Sequence, residues 1–391
     1  MRKTFLYKVY DSNSNYIKTW SDVVSSLSFD WNINSGFGET TVRLQRYFDS
    51  FGEEDDVALN NEVQVYCIDG DNSSGSIIYS GYISGYAPVL DGANEYVDVT
   101  LLGYTSTLED DILKNGSNTI VTYNSYDPSN IISDIFTKYD NKITTGVINL
   151  TGTTISYIFN TSTFLQAIRK IRELAPSGWY FYIDAQNKLH FKKKNTVADH
   201  TLIIGKHLTS VKPEKRLENV KNVVLFVGNG VYKEYVRAGS ITDYGRRVEV
   251  IQDKRVTQEA TADIMADTFL DDHETVEIRT NVRVIDNNII SNGLGYNIET
   301  IKPGDTVQIK GFGSNYPESL WDVGIWNVTA WDYSISYATG TIMQIVSIKY
   351  TPDYVDLEIT SKPVPVNNRI EDIYRNLEDY INKDNPSVPT S

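Results

Sequence analysis

The chain has 391 residues, of which 40% are hydrophobic, and a formal net charge of −15; at about 150 residues per domain, this length predicts two or three domains. No apolar run reaches the roughly 18 residues of a membrane-spanning helix, and the N-terminus lacks the pattern of a secretory signal, so neither is predicted. The single cysteine, Cys67, excludes an internal disulfide and is expected to be buried, and the histidines are too scattered for a zinc site.

The first third of the chain reads as a series of short strands rich in Tyr, Val, Ile and Thr, separated by turns of Asn, Asp and Gly. Apolar and polar residues alternate clearly from Tyr96 to Leu101, as in a strand with one buried face. Evenly spaced strands of this kind predict an antiparallel barrel or sandwich over residues 1–105.

From Leu108 onward the pattern mixes helices with strands. Asp127 followed by Pro128 has the cap-then-proline order of a helix start. A compact apolar run at 220–227 predicts a central strand, and residues 258–271 predict a further helix with a threonine cap. This region therefore predicts an α/β part rather than a continuation of the barrel.

The stretch from 161 to 194 carries the strongest local pattern. A helix is predicted up to Pro176, followed by a hairpin of Trp179–Ile183 with Leu189–Phe191. The apolar face of this helix consists of Phe164, Ile168, Ile171 and Ala175, and its other faces carry Arg169, Lys170 and Arg172. The lysines at 192–194, beside the hairpin aromatics, indicate either a nucleic-acid surface or a solvated hairpin end, and the second interpretation is favoured.

Towards the C-terminus the pattern returns to strands. Residues 275–291 and the segment after the turn at Pro303 predict strands, and a hairpin is predicted around Pro352 and Asp353. Between them, tryptophans recur every five residues, at Trp321, Trp326 and Trp331. We interpret these as interface aromatics at a subunit contact, with a sugar-binding shelf as the less favoured alternative.

The C-terminal segment 363–391 predicts a short helix followed by a tail. Asn368 and Glu371 fit a capping box in which Asn replaces the usual Ser or Thr. The apolar stripe of this helix has spacings of four, three and four residues and consists of Ile370, Tyr374, Leu377 and Ile381. A helix this short is marginal alone. It therefore packs on its own chain, the slightly favoured interpretation, or on copies of itself as an oligomer helix.

No signature of catalysis or cofactor binding is present. The Gly36-Phe37-Gly38 triplet lacks the rest of a dinucleotide fingerprint, and no phosphate-binding loop, serine elbow or zinc-protease motif occurs. Asp69 and Asp71 imitate a calcium loop, but its glycine and its final glutamate are missing. Pairs of carboxylates are expected by chance among 51 acidic residues. We therefore predict no catalytic, cofactor-binding or metal-binding residues.

Charge is spread unevenly along the chain. Residues 1–111 contain 18 acidic and 6 basic residues, a net charge of −12, whereas residues 169–221 contain 12 basic and 5 acidic residues, a net charge of +7. The acidic first part argues against ordinary duplex binding, because DNA is itself densely negative. It indicates either a solvated surface that favours solubility or, in a ring, a wall that repels DNA.

Four segments together resemble the hub proteins of phage tail tips, the tail-associated and baseplate-hub-like proteins of long-tailed phages. In chain order the segments are GFGETTVRL, QAIRKIRELAPSGWYFYIDAQNKLHF, LENVKNVVLFVGNG and IETIKPGDTVQIKG. Their order and separation match that family as well as their letters do, over roughly residues 1–362.

The resemblance implies a mainly β fold with an α+β insertion. Its parts would be two tail-tube-like β-barrel domains, an α/β domain and a short C-terminal helix. The implied division is 1–105 for the first barrel, 106–206 and 241–300 for the α/β domain, 207–240 and 301–362 for the second barrel, and 363–391 for the C-terminal helix and tail.

The resemblance also implies a function in the virion. In that family three chains present six barrels and adapt a sixfold tail tube to a threefold tip. Such a homotrimeric hub would join the tube to the host-recognition tip and form the channel for DNA exit, without binding DNA specifically and without a cofactor. Its implied partners are the distal tail protein, the tape-measure protein and receptor-binding or fibre proteins. The alternatives are a receptor- or glycan-binding tail module and, less favoured, a cell-wall hydrolase.

Overall fold

The computed structural model describes residues 3–46, 55–68, 75–92, 94–116, 120–138, 142–204, 207–286, 296–310 and 342–362. In these ranges the protein is mainly β, as the resemblance implied. Buried side chains form two hydrophobic cores: one is shared by two large sheets, and the other lies among helices and smaller sheets. None of the helices in these ranges is long and apolar enough to cross a membrane.

The N-terminal part of the chain is built mostly from strands with alternating burial. They are β1 Thr4–Tyr10, β2 Tyr16–Trp20, β3 Phe29–Asn32, β4 Thr40–Leu44, β5 Glu62–Ile68, β6 Ser76–Asp91 and β7 Asn94–Gly103. All except β3 form one antiparallel sheet in the order β2-β1-β5-β6-β7-β4. In β7, Val97, Val99 and Leu101 are fully buried and the residues between them are not, which confirms the predicted alternation.

The two outer strands of this first sheet are linked to each other. After β2 the chain bends towards β4, where the backbone N–H of Val24 donates to the carbonyl of Arg43 at 2.9 Å. One step along, the N–H of Gln45 donates to the carbonyl of Asp22 at 2.8 Å. The sheet therefore curls towards closure, as a barrel requires. The sequence analysis did not identify β2 itself.

The middle of the chain contributes the α/β part and some strands of the second large sheet. Its strands are β8 Ile120–Tyr126, β9 Thr144–Ile148, β10 Ile155–Asn160, β11 Trp179–Ile183, β12 Lys188–Lys193, β13 His200–Ile203, β14 Leu208–Val211, β15 Glu214–Arg216, β16 Val223–Val227, β17 Tyr232–Val236 and β18 Val248–Gln252. Its helices are α1 Pro128–Lys138, α2 Phe164–Leu174, α3 Ala238–Tyr244 and α4 Glu259–His273. β8 pairs with β10, β12 lies between β11 and β9, and β16 lies between β17 and β18.

Local signals in the sequence account for several of these elements. α1 begins at Pro128, and the carboxylate of Asp127 accepts a backbone N–H of its first turn at 2.8 Å. α2 is capped by Thr163, which forms a capping box with Gln166. The predicted starts of these helices and the hairpin of β11 with β12 are confirmed. α4 is preceded by Gln258 rather than by the predicted threonine cap, and α3 was not predicted.

The second large sheet collects strands from distant parts of the chain. Its late strands are β19 Glu277–Ile285, β20 Thr306–Lys310, β21 Met343–Tyr350 and β22 Tyr354–Thr360. The strand order is β13-β20-β21-β22-β19-β14, with β15 beside β19 and β3 beside β21. A bridge between Ile204 and Leu208 connects the ends of β13 and β14. The two ends of this sheet therefore also meet.

Some segments pair differently from the implied domain division. β3 falls within the first predicted barrel, yet it pairs with β21 of the second sheet. β16 and β17 were expected in the second barrel, but they pair with β18 in a separate sheet, because Val224 and Phe226 of β16 pack in the helical core. β19 was expected in the α/β domain, but it pairs with β14 and β22. The remaining domain limits stay a prediction.

Candidate functional site

The residues predicted as interface or oligomer contacts lie outside the described ranges. They are Trp321, Trp326 and Trp331, and the C-terminal stripe of Ile370, Tyr374, Leu377 and Ile381. Their roles therefore stay predictions. Within the described ranges, no group of three or more His, Cys, Asp or Glu side chains could hold a metal ion.

A buried aromatic cluster joins the two large sheets, and we name Phe29, Trp31, Phe37, Tyr79 and Tyr350 the junction. The ring of Phe29 in β3 stacks on that of Tyr350 in β21, with centroids 4.8 Å apart. Trp31 stacks on Phe37 at 4.7 Å, and Phe37 meets Tyr79 edge-on at 5.1 Å. Because close-packed cores resist sliding, the junction couples the two sheets into one body.

The same segment of chain also binds the α/β part. The indole N–H of Trp31 donates to the carbonyl of Ile183 at 2.9 Å. The backbone N–H of Asn34 donates to the carbonyl of Phe181 at 2.7 Å, and that of Ile183 donates to the carbonyl of Ser35 at 3.2 Å. Residues 31–35 therefore hydrogen-bond to β11, so the junction couples three parts of the chain.

Two glycines permit the close approaches that the junction needs. A Cβ added to Gly103, at the end of β7, would lie 2.2 Å from the carbonyl oxygen of Phe37. Gly304 has a φ of +87°, and a Cβ there would lie 2.0 Å from the ring of Tyr180 in β11. A side chain at either position would force backbone or a buried ring to move.

Three of the four segments that carry the resemblance meet around the junction. Phe37 lies in the first, Tyr180 and Phe181 lie in the second, and Gly304 lies in the fourth. None of these residues places a nucleophile, a general base or a metal ligand beside another. The contacts among the three segments hold sheets together, which is the property of a scaffold rather than of an active site.

A buried ion cluster forms a second connection between the large sheets. Lys3, just before β1, places its Nζ 2.6 Å from Asp286 Oδ2 and 2.5 Å from Glu299 Oε1. The hydroxyl of Tyr350 donates to the same Glu299 oxygen at 2.8 Å. Burial alone would lower the pKa of Lys3, but hydrogen bonds to the two carboxylates raise it above its ordinary value. The ammonium group therefore stays charged and tethers the N-terminal strand to the second sheet.

Two cations of α2 are buried, contrary to their predicted place on the outer faces of the helix. Lys170 is 7% exposed, and its Nζ lies 2.9 Å from Asp253 Oδ2. Arg172 is 5% exposed, and its Nε donates to the carbonyl of Trp179 at 3.1 Å. The helix is covered on several sides, by α1, α4 and β11. Its polar faces are therefore internal contacts rather than a solvated surface.

Another cluster of charges lies where the α/β part meets the end of β22. Lys194 Nζ donates to the carbonyl of Ser361 at 3.2 Å, and the hydroxyl of Ser177 donates to the buried carboxylate of Asp272 at 2.5 Å. Burial lowers the pKa of Lys194 to about 8, and the positive charge of Lys362 acts in the same direction. Because Lys194 is largely buried, the lysines at 192–194 do not form a continuous solvated patch.

We expect Lys194 to make the protein more stable as the pH rises from 8 towards 10. In this range the unfolded chain keeps the lysine protonated, since its ordinary pKa is 10.5, while the folded chain releases the proton. The free energy of unfolding then rises by up to about 1.4 kcal/mol per pH unit. Urea unfolding at several pH values measures the slope, and Lys194→Met should remove most of it. An equal slope in that variant would show that another group is responsible.

Two histidine–aspartate pairs, neither of which was predicted, clamp neighbouring strands. With neutral imidazole, His200 Nε2 donates to Asp305 Oδ2 at 2.9 Å and Nδ1 accepts the hydroxyl of Tyr296 at 2.6 Å. The order hydroxyl, imidazole, carboxylate resembles a hydrolase triad. However, burial raises the pKa of Tyr296, so its hydroxyl keeps the proton. His190 pairs similarly with Asp184 across the β11–β12 turn at 2.8 Å. We interpret both pairs as structural.

Aromatic side chains in the described ranges contribute mainly to the cores. Tyr79, Tyr157, Phe159, Phe181 and Phe191 are among the largest fully buried side chains. Burial removes these rings from any sugar-binding surface. The abundance of tyrosine is therefore largely explained by packing within the sheets.

One sheet of the α/β part leaves an apolar face uncovered. α4 packs against one side of the β17–β16–β18 sheet, where Phe226 is fully buried. On the other side, Tyr232 is 74% exposed and Val250 56% exposed, and Val236 and Val248 are each 45% exposed. We name these four side chains the outer sheet face. Contiguous exposed apolar side chains of this kind are typical of contact surfaces.

Solved structures with this fold include phage tail proteins. The 43 kDa tail protein of prophage MuSo2 from Shewanella oneidensis matches with a TM-score of 0.58 and 12% identity, over 91% of this chain and 98% of its own. A tail protein from Neisseria meningitidis MC58 matches with a TM-score of 0.57 and 11% identity, over 91% and 96%. Prophage tail protein gp18 from Listeria monocytogenes EGD-e matches with a TM-score of 0.57 and 14% identity, over 96% and 98%.

No protein-family model and no curated protein matches the sequence. The likeness is therefore one of fold, and at this level it confirms the predicted resemblance to phage tail proteins.

Proposed function

We propose that this chain is a structural component of a phage tail, and that it acts as a trimeric hub in the tail tip or baseplate. The observation that carries the proposal is the length of the shared fold. At least 91% of this chain and 96% of each solved tail protein align. A match of whole chains leaves little room for an additional catalytic domain in either partner. Because fold alone does not prove function, the proposal also depends on the arguments below.

The arrangement of the two large sheets supports a building-block role. Each sheet has its first and last strands connected, and both share one core through the junction. Three chains would then present six curled sheets around a threefold axis, which is the number that the resemblance implies for a sixfold tube. Closed cyclic assemblies of identical chains are common among soluble oligomers.

The acidic first part of the chain supports a channel for DNA. Residues 1–111 carry a net charge of −12, so three copies would carry 3 × 12 = 36 net negative charges. If the first sheets line the lumen, like charges keep exiting DNA from adhering to the wall. At physiological salt the repulsion extends over only about 8 Å, so it acts on DNA close to the wall. A basic or neutral lumen in an image of the assembly would refute this part of the proposal.

The proposed contacts of the hub are those of a tail-tip component. They are the distal tail protein, the tape-measure protein and receptor-binding or fibre proteins, with no cofactor. A glycan-binding role would need exposed aromatic shelves, and the large rings named above are buried. A hydrolase role would need an activated nucleophile, which the Tyr296–His200–Asp305 arrangement does not provide.

We expect the purified protein to form trimers. Three chains of 44.2 kDa have a mass of 3 × 44.2 = 132.6 kDa. Light scattering coupled to size-exclusion chromatography measures this mass, and negative-stain images should show threefold rings. A 44.2 kDa particle that stays monomeric when mixed with the distal tail protein encoded beside it would contradict the proposal.

A further inference from the structure

The outer sheet face is apolar but has no cover within the described ranges. Its strands are short, and Leu225 and Val227 of the central strand lie half-buried between the four exposed side chains. The opposite side of the same sheet is sealed by α4. Covering Tyr232 and Val250 with apolar atoms would remove a large contiguous patch from water, so an occupant is energetically favoured.

The described chain leaves the body beside this sheet. Arg237, which follows β17 directly, places its Nη2 2.8 Å from Asp271 and 3.0 Å from Asp267 in α4. Lys362, the last described residue, donates from its Nζ to the carbonyl of the same Asp271 at 3.1 Å. The C-terminal segment therefore starts within a few side chains of the edge of the outer sheet face.

The length of this segment suits the distance. It contains 391 − 362 = 29 residues, and the eight residues from Lys362 to Ile370 can extend about 26 Å at roughly 3.3 Å per residue. A helix over residues 368–382 would be about 22 Å long, and a five-residue strand spans about 17 Å. One such helix is long enough to cover the three strands.

Charge favours the same placement. β18 is flanked by Arg246 and Arg247 before it and by Lys254 and Arg255 after it. In the C-terminal segment the apolar stripe is bordered by acidic pairs, which are Glu371 with Asp372 and Glu378 with Asp379. Opposite charges at the rim of an apolar contact fix orientation and register.

We propose that residues 368–382 bind the outer sheet face of their own chain as an amphipathic helix, with Ile370, Tyr374, Leu377 and Ile381 against Tyr232, Val236 and Val250. Of the two packing partners that the sequence leaves open, the chain's own body is thereby chosen over copies of the same helix. This inference does not depend on the trimeric hub. A monomeric protein could contain the same contact, and a trimer could lack it.

Cross-linking tests the contact directly. In a Cys67→Ser background, Val250→Cys and Leu377→Cys are combined in the full chain and treated with a short bis-maleimide. The matched control combines Leu377→Cys with Val147→Cys, a valine of similar exposure on β9. Tethering close to the contact should make the first pair react at least about tenfold faster, within one chain. Equal rates for the two pairs, or products that join two chains, would overturn the proposal.

Proteolysis of the same chain gives a second measurement. Trypsin should cut at Arg369 and Arg375 about tenfold faster after Val250→Asp than in the parent protein, because cleavage requires the helix to leave the face. Val147→Asp should leave the rate unchanged, which controls for added charge. Equal cleavage in all three proteins would overturn the contact. Deletion of residues 363–391 should leave the oligomeric mass unaltered, and its loss would assign the helix to contacts between subunits instead.

Discussion

Replacing Gly103 with alanine is expected to lower the free energy of unfolding by about 3 kcal/mol. The new Cβ would lie 2.2 Å from the carbonyl oxygen of Phe37 and 2.8 Å from its carbonyl carbon. These are backbone atoms beside the aromatic stack of Trp31 and Phe37, so relief requires the junction itself to shift. The loss therefore reports on the coupling of the two large sheets.

Gly85 provides the matched control for this change. It lies in the same hairpin, on β6, and a Cβ there meets nothing within 4 Å. Gly85→Ala is expected to change stability by less than about 1 kcal/mol. Urea denaturation of both variants, followed by far-UV circular dichroism, measures the difference. Equal midpoints for the two variants would show that the close approach at Gly103 has no energetic importance.

Removing the carboxylate of Asp253 is expected to have the second large effect, a loss of about 3–5 kcal/mol on Asp253→Ala. The Nζ of Lys170 lies 2.9 Å from Asp253, and both side chains are almost fully buried. The pKa of Lys170 is raised well above its ordinary value: burial acts to lower it, but the charges of Asp253 and its neighbours outweigh that effect. Without Asp253 the ammonium group remains buried with less compensation, and α2 is destabilised.

Two further variants separate the buried pair from ordinary ion pairs. Lys170→Met combined with Asp253→Leu should recover most of the loss, because an apolar pair needs no compensation. Asp356→Ala removes an exposed partner of Arg283 and should cost less than about 1 kcal/mol. Calorimetric or urea unfolding of the set measures these effects. A double variant as unstable as Asp253→Ala would mean that the carboxylate acts by some route other than its pairing with Lys170.

Much of the local structure follows from local patterns. Asp127 before Pro128 gives the start of α1, and the alternation in β7 gives its buried side. The hairpin of β11 and β12 was predicted from a turn of polar residues between two aromatic-rich runs. These elements form where the forces act between residues close in sequence, such as caps, turns and periodic apolar faces.

The misassigned strands share a different cause. β3 reads as one more strand of the first barrel, but its partner is β21, more than 300 residues later in the register that joins Asn32 to Ser347. β16 has the apolar run of any central strand, and nothing in it specifies which sheet it joins. Pairing between distant strands depends on the shape of the assembled core, which no local window contains.

The candidate site was foreseen only in outline. The segments that carry the resemblance include Phe37, Tyr180 and Gly304, yet their meeting around the junction becomes visible only in three dimensions. Lys170 and Arg172 were expected on solvated faces because helical periodicity reports one apolar side. It cannot report that a second layer covers the polar side as well. The outer sheet face has the opposite origin, since its valines look like core residues in sequence and lie exposed.

The pairing of β3 with β21 has a consequence for how the protein is made. From Asn32 to Ser347 the separation is 347 − 32 = 315 residues, which a ribosome adds in roughly 15 to 60 s at about 5–20 residues per second. Throughout that interval the nascent chain carries Phe29 and Trp31 without the strand that receives them. Translation therefore ends before the N-terminal sheet can acquire its final neighbours, and the newborn chain depends on protection from aggregation until its last hairpin emerges.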